Sequence, residues 1–170
     1  MTETRGMAAK AWVPPAWRSV AGLVAGFGNR RAAPPKPPLR VLQVHGPRVV
    51  TAAEAAAGST EADAIIIDHP GRLVAVATAD CVPLLLLSRD GDGVPVWAAA
   101  VHAGWRGTLG GVVENTVEVA RYGGIDVGAL EAAIGPAIGV CCYEVGNDVL
   151  AAFERAGLGQ MLEPGRPGGR

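Results

Sequence analysis

Apolar residues in this chain come in short, nearly unbroken runs separated by Gly, Pro and Asp. Ile65-Ile66-Ile67 within Asp63 to Asp68, Leu73 to Thr78, Val82 to Leu87, Val94 to His102 and Leu130 to Ile134 all have strand length. Continuous runs of this kind fit strands covered on both faces rather than a half-wet sheet. Arg40 to His45 reads as a further strand, Val49-Val50 begins a short one, and Val20 to Phe27 has a strand's composition. Pro70-Gly71 and Asp90 to Gly93 mark turns between runs. A different period follows Thr108: Leu109, Val112, Val113, Thr116, Val117 and Ala120 recur at three-four spacing, which predicts one buried helical stripe. Glu114 and Glu118 fall off that stripe, and Gly123-Gly124 supplies the stop. Asn147 or Asp148 is expected to cap a second helix through Ala156, with Val149, Leu150 and Phe153 facing the sheet. Ala53 to Ala57 has helical propensity but little length. Strands outnumber helices, so the fold class is α/β: a layered single domain with a central mixed β-sheet and flanking helices.

The expected organisation is an irregular segment over residues 1–19, a domain over 20–156 and a disordered Gly/Pro/Arg tail over 157–170. Arg31 to Pro38 reads as a stiff, Pro-rich connector. With 170 residues, one well-buried core is affordable and two are not. Hydrophobic residues at 49% and charged ones at 18% exclude a largely disordered chain. A net charge of −1 argues against nucleic-acid binding. Arg30, Arg31, Lys36 and Arg40 cluster, but prolines separate them, and a solvated linker is the simpler reading. The run Leu73 to Leu87 is interrupted by Asp80 and Pro83 and is too short for a membrane span. Three cysteines, two of them adjacent at Cys141-Cys142, do not form a secreted disulfide framework, which points to a reducing cytoplasm.

Candidate chemistry gathers where apolar runs break. His45 closes Gln43-Val44-His45-Gly46, Cys81 sits in Thr78-Ala79-Asp80-Cys81-Val82-Pro83, and His102 opens His102-Ala103-Gly104-Trp105-Arg106-Gly107. Strand ends can converge on one edge of a sheet. Two imidazoles and a thiolate are ligands of the sort that hold zinc with one position open. Asp80 needs a partner or solvent, because an unpaired buried carboxylate is expensive. Gly104 to Thr108 is a Gly-rich turn into a helix, and Arg106 within it could hold a phosphate. His69, beside Pro70-Gly71, reads as a turn residue.

These motifs, with Ile134-Gly135-Pro136-Ala137-Ile138-Gly139 and Cys142-Tyr143-Glu144-Val145-Gly146, resemble the laccase-domain (polyphenol oxidase-like) family of zinc-dependent purine nucleoside phosphorylases. The resemblance covers roughly residues 20–156, with the motifs in order. It implies phosphorolysis of adenosine, inosine, guanosine and methylthioadenosine, with adenosine deamination as a side activity. It also implies that His45, Cys81 and His102 are the zinc ligands. These three are the expected catalytic residues, and Asp80, Gly104 and Arg106 are expected on the substrate or phosphate side. Cys141 and Cys142 are not expected among the ligands. Purine nucleoside and phosphate are then the partners, with no nucleic acid or membrane, and the chain a monomer or homodimer. The chain departs from the family pattern in a shorter stretch between Phe27-Gly28-Asn29-Arg30 and Gln43, and beyond Ala156.

Three other readings use the same residues. Copper oxidation is disfavoured, since the chain has three histidines and its methionines, Met1, Met7 and Met161, lie away from the motifs. A metal-free hydrolase would use Cys81 as nucleophile and His45 or His102 as base, acting on cell-wall precursors, which some relatives are described as editing. A shortened, inactive binding protein is the third.

Overall fold

The apolar runs Val82 to Leu87 and Val94 to His102 form adjacent inner strands of one sheet. In the computed structural model, which describes residues 11–29, 32 and 34–163, the strands are β1 (Val49–Thr51), β2 (Ala64–Ile67), β3 (Val82–Arg89), β4 (Pro95–Ala103) and β5 (Glu131–Ile134). Their order is β1-β2-β4-β3-β5. β1 and β2 run parallel, and every other neighbouring pair is antiparallel, so the sheet is mixed. Ala99 of β4 lies between Ile66 of β2 and Leu86 of β3 at the middle of the ladder. Among the described residues, no helix is long and apolar enough to cross a membrane.

Strand alternation divides the core between the two faces. Ala64, Ile66, Leu86, Trp97, Ala99, Val101 and Ala103 point to one side, where helix α3 (Val112–Tyr122) buries Val112, Thr116 and Ala120 among them. The alanines on β4 leave room for that helix. On the other face, Val50 and Ile65 pack with Ala55 of helix α1 (Ala52–Ala56). Five residues make a marginal helix on propensity alone. Here Thr51 and Glu54 form a reciprocal cap: Glu54 N–H donates to Thr51 Oγ1 at 3.1 Å, and Thr51 N–H donates to Glu54 Oε2 at 2.7 Å.

Residues 11–27 cover the rest of that face, which their irregular pattern did not suggest; residues 1–10 lie outside the described ones. A 3₁₀ turn at Pro15–Trp17 inserts the Trp17 ring beside Leu87 and Ala133, with 3% of the residue exposed. Its indole N–H donates to Glu131 Oε2 at 2.9 Å, and Arg89 Nε holds the other oxygen of that carboxylate at 2.6 Å. Trp17→Ala should therefore destabilise the fold by about 3–5 kcal/mol. Urea unfolding checks this, and a loss below about 1 kcal/mol would mean the segment is not part of the core.

Three expected strands are not strands. Val20 to Phe27, Arg40 to His45 and Leu73 to Thr78 make only single bridges, Trp12 with Phe27, Leu42 with Glu61 and Leu39 with Val74. Their apolar side chains lie on the sheet as a covering layer: Leu23, Ala25 and Phe27 at one end, Leu39, Val41 and Val74 at the other. The predicted helix after Thr108 is two helices, α2 (Trp105–Leu109) and α3, parted at Gly110-Gly111 where Gly111 takes φ +84°. Helix α4 (Asn147–Arg155) is capped by Gly146, not by Asn147 or Asp148. It packs against the 3₁₀ turn Gly159–Met161 rather than on the sheet; Val149 is buried, while Leu150 and Phe153 are half-buried. That turn also shows that the chain stays structured past Gly157; residues 164–170 lie outside the described ones. In the Pro-rich connector Lys36 Nζ is tied to the carbonyl of Gly71 at 2.7 Å, while Arg30 and Arg31 lie outside the described residues.

Candidate metal centre

Sheet topology brings the three motifs to one end of the molecule. β4 runs opposite to both β2 and β3, so its last residues lie beside the first residues of those two strands. His102 is in the final turn of the β4 ladder opposite Pro83, and Cys81 immediately precedes β3. The loop before β1, parallel to β2, supplies His45. One ligand atom from each of His45, Cys81 and His102 lies within 4.8 Å of the others. The His45 and His102 rings meet edge to face with centroids 4.7 Å apart. His45 is thus a loop residue held near a strand end rather than the end of a strand.

A residue that sequence inspection passed over organises this end. Asp63, just before β2, is 0% exposed, and its carboxylate accepts four hydrogen bonds. Oδ1 takes His45 N–H at 3.0 Å and His102 Nδ1–H at 2.7 Å. Oδ2 takes Gly46 N–H at 2.7 Å and Val44 N–H at 3.2 Å. Four donors match the four lone-pair sites of an ionised carboxylate, which compensates for its burial. The bond to Nδ1 fixes the His102 tautomer and leaves Nε2 with its lone pair for the cluster, the arrangement that orients histidine ligands at metal sites. His102, 3% exposed, is anchored twice, since its own N–H also reaches the Asp63 carbonyl at 2.7 Å. The signal was available: Asp63 is a lone charge between Ala62 and the apolar run Ala64–Ile67, where burial demands partners. The same argument was applied to Asp80, which is exposed and meets solvent instead.

Backbone geometry completes the cradle. His45 adopts a left-handed conformation, φ +61°, unusual for a residue with a Cβ. Such strain costs about 1–3 kcal/mol and persists where surroundings impose it. Here the imposition is visible in three successive N–H groups, Val44 to Gly46, curled around one carboxylate. Gly104, which caps α2, faces the ligands so closely that a Cβ there would lie 2.9 Å from His45 Cδ2 and 3.2 Å from Cys81 Sγ. Gly104→Ala should push these two ligands apart and weaken metal binding at least tenfold while the fold persists. Metal titration beside a thermal melt measures both, and unchanged affinity would remove Gly104 from the cradle.

Cys81 is half-buried, and that burial, aided by the nearby Asp80 and Asp63 carboxylates, pushes its thiol above the ordinary range. A cation reverses this preference by taking the place of the proton. The donor set itself fits a metal: at Zn–N and Zn–S lengths of about 2.0–2.3 Å, tetrahedral ligands sit roughly 3.3–3.8 Å apart. Ligand atoms within 4.8 Å need only small side-chain movements to reach that spacing. His45 is exposed, so the cluster opens to solvent on one side.

The remaining expected residues fall around this centre or away from it. The Arg106 guanidinium is exposed and stacks over the Trp105 ring at 4.1 Å. Asp80 offers its carbonyl to Ile138 N–H at 3.0 Å, so the Gly135–Gly139 loop borders the Cys81 strand end. His69 is an exposed turn residue paired with Asp68 at 2.8 Å. Cys141 and Cys142 do not join the cluster.

Comparison with known proteins places the chain in a family. A family model described as multi-copper polyphenol oxidoreductase laccase matches residues 22–167. A purine nucleoside phosphorylase of Deinococcus radiodurans is 45% identical over 123 residues, 72% of this chain and 46% of that protein. An adenosine deaminase, RL5, from an unknown prokaryotic organism is 40% identical over 94 residues, 55% of this chain and 34% of its own. The crystal structure of Neisseria meningitidis protein NMB0706 superposes with a TM-score of 0.66 at 38% identity, covering 78% of this chain and 52% of that one. The chain spans about half the length of the curated relatives it matches. With the motifs in order on a shared fold, the chain belongs to the multi-copper polyphenol oxidoreductase laccase family.

Proposed function

We propose that this chain binds zinc through His45, Cys81 and His102 and phosphorolyses purine nucleosides, adenosine, inosine, guanosine and methylthioadenosine, with adenosine deamination as a side activity. The observation that carries the reading is the convergence of two imidazoles and one thiol within 4.8 Å at an open strand end. Support for the substrate class comes from relatives named purine nucleoside phosphorylase and adenosine deaminase.

Zinc, when bound, supplies Lewis acidity beside the substrate. The chain's own groups do the rest. Asp63 keeps a proton on His102 Nδ1 and so keeps Nε2 aimed at the cluster. Gly104 keeps the approach clear of side chain, and the turn it begins carries Arg106, whose planar guanidinium suits a phosphate. Asp80, an exposed carboxylate next to Cys81, repels phosphate and suits hydroxyl donors of the ribose. In phosphorolysis a phosphate oxygen bonds to the ribose carbon while the carbon–nitrogen bond to the purine breaks, and the departing base takes up a proton. Arg106→Ala should raise the KM for phosphate about tenfold or more and leave metal content unchanged. Equal losses of phosphorolysis and deamination in that variant would remove Arg106 from the phosphate site.

The raised Cys81 thiol weighs against the metal-free hydrolase, since a nucleophilic cysteine needs the opposite shift. Only two imidazoles reach the cluster, fewer than a multicopper site requires. One experiment tests the reading: metal analysis of the purified protein, then inosine and adenosine incubated with and without phosphate. About one zinc per chain and phosphate-dependent release of free purine are expected. Copper in the site, or purine release indifferent to phosphate, would overturn it.

A further inference from the structure

Free cysteines are among the most buried of residues, yet Cys141 and Cys142 are both exposed, and both are free. Their sulfurs lie 3.1 Å apart. The turn beneath holds them there, because the N–H groups of Cys142 and Tyr143 both donate to the Gly139 carbonyl, at 2.9 and 3.1 Å. A direct disulfide suits this pair poorly: neighbouring Cα atoms are about 3.8 Å apart, below the usual 4.4–6.8 Å of a bridge. Tetrahedral zinc suits it poorly as well, since Zn–S bonds of about 2.3 Å on a 3.1 Å bite would close the angle to roughly 85°. A pyramidal centre that bonds sulfur at nearly right angles fits the bite. Trivalent arsenic is such a centre, thiophilic and bonded through nearly pure p orbitals.

We propose that Cys141 and Cys142 form a vicinal dithiol site, separate from the candidate metal centre, that chelates trivalent arsenicals. With an organoarsenic oxide, two As–S bonds form and the arsenic–oxygen bonding is lost. The oxygen leaves as water with the two thiol protons, and neither arsenic nor sulfur changes oxidation state. The contact with Cys141 also holds the thiol of Cys142 above its ordinary range.

The probe is phenylarsine oxide, added to the full chain as purified, with thiols counted and intact mass measured. One adduct per chain is expected, with the loss of two titratable thiols. It should resist excess mercaptoethanol and be stripped by 2,3-dimercaptopropanol, and peptide mapping should place arsenic on the Cys141-Cys142 peptide. Cys141→Ser and Cys142→Ser, both at exposed positions, should each lower the mercaptoethanol-resistant adduct at least tenfold, whereas Cys81→Ser should keep it. An adduct in the unaltered protein that mercaptoethanol removes, or a resistant adduct mapped to Cys81, would overturn the proposal. Mapping on the unaltered chain decides the matter even if a variant fails to fold.

Discussion

Asp63→Ala should lower folding stability by about 3–5 kcal/mol and metal affinity by roughly 10–100-fold. The stability loss follows from what is orphaned: three backbone N–H groups of the His45 loop and the Nδ1–H of His102, all aimed at one vanished carboxylate. Water cannot easily replace it at a site with no exposure. Asp63→Asn separates the two consequences. An amide keeps the shape but turns one donor group toward donors, so two of the four bonds fail. This variant should fold with a smaller loss and still bind metal more weakly, because His102 loses its fixed tautomer and His45 its left-handed turn. Urea unfolding of the metal-free variants and zinc competition against a chromophoric chelator read the two effects. Full zinc affinity in Asp63→Asn would show that the carboxylate supports the fold and not the ligands.

Cys81→Ser should give the opposite dissociation. Losing the thiolate from a three-ligand set should reduce zinc affinity on the order of a thousandfold. Folding stability of the metal-free chain should change by no more than about 0.5 kcal/mol, since the thiol is only partly buried and serine is nearly its size. Purine release, if zinc supports it, should fall with the metal. Stoichiometric zinc retained by Cys81→Ser would make the cysteine a bystander, and the two histidines would need a different third ligand. Together, Asp63→Ala and Cys81→Ser distinguish a residue that builds the end of the sheet from one that only decorates it.

The buried ladder was legible in the chain because its strands carry apolar side chains on both faces: Ile65 and Ile66 each find a core, as do Leu86 and Leu87. The α3 stripe was legible for the matching reason, three-four spacing with glutamates off it. Local pattern failed at Leu73 to Thr78 and Arg40 to His45, whose apolar residues cover the sheet without joining it. Composition is the same for a strand in a ladder and an extended segment laid over one; only the neighbours differ. Trp17 went unread for a related reason, since its pocket is assembled from β3 and β5, far along the chain.

His45, Cys81 and His102 could be picked out because imidazole and thiol at the breaks of apolar runs are chemically conspicuous. Their ligand chemistry is a property of the residues themselves. That they meet was decided by strand direction: β4 antiparallel to β2 and β3, with β1 parallel to β2, sends four chain segments to one end of the sheet. Tertiary structure alone also chose which carboxylate is buried. Asp63 and Asp80 both flank apolar runs, but Asp63 lies under the His45 loop, where four donors offset its desolvation, and Asp80 lies at the surface, where water does.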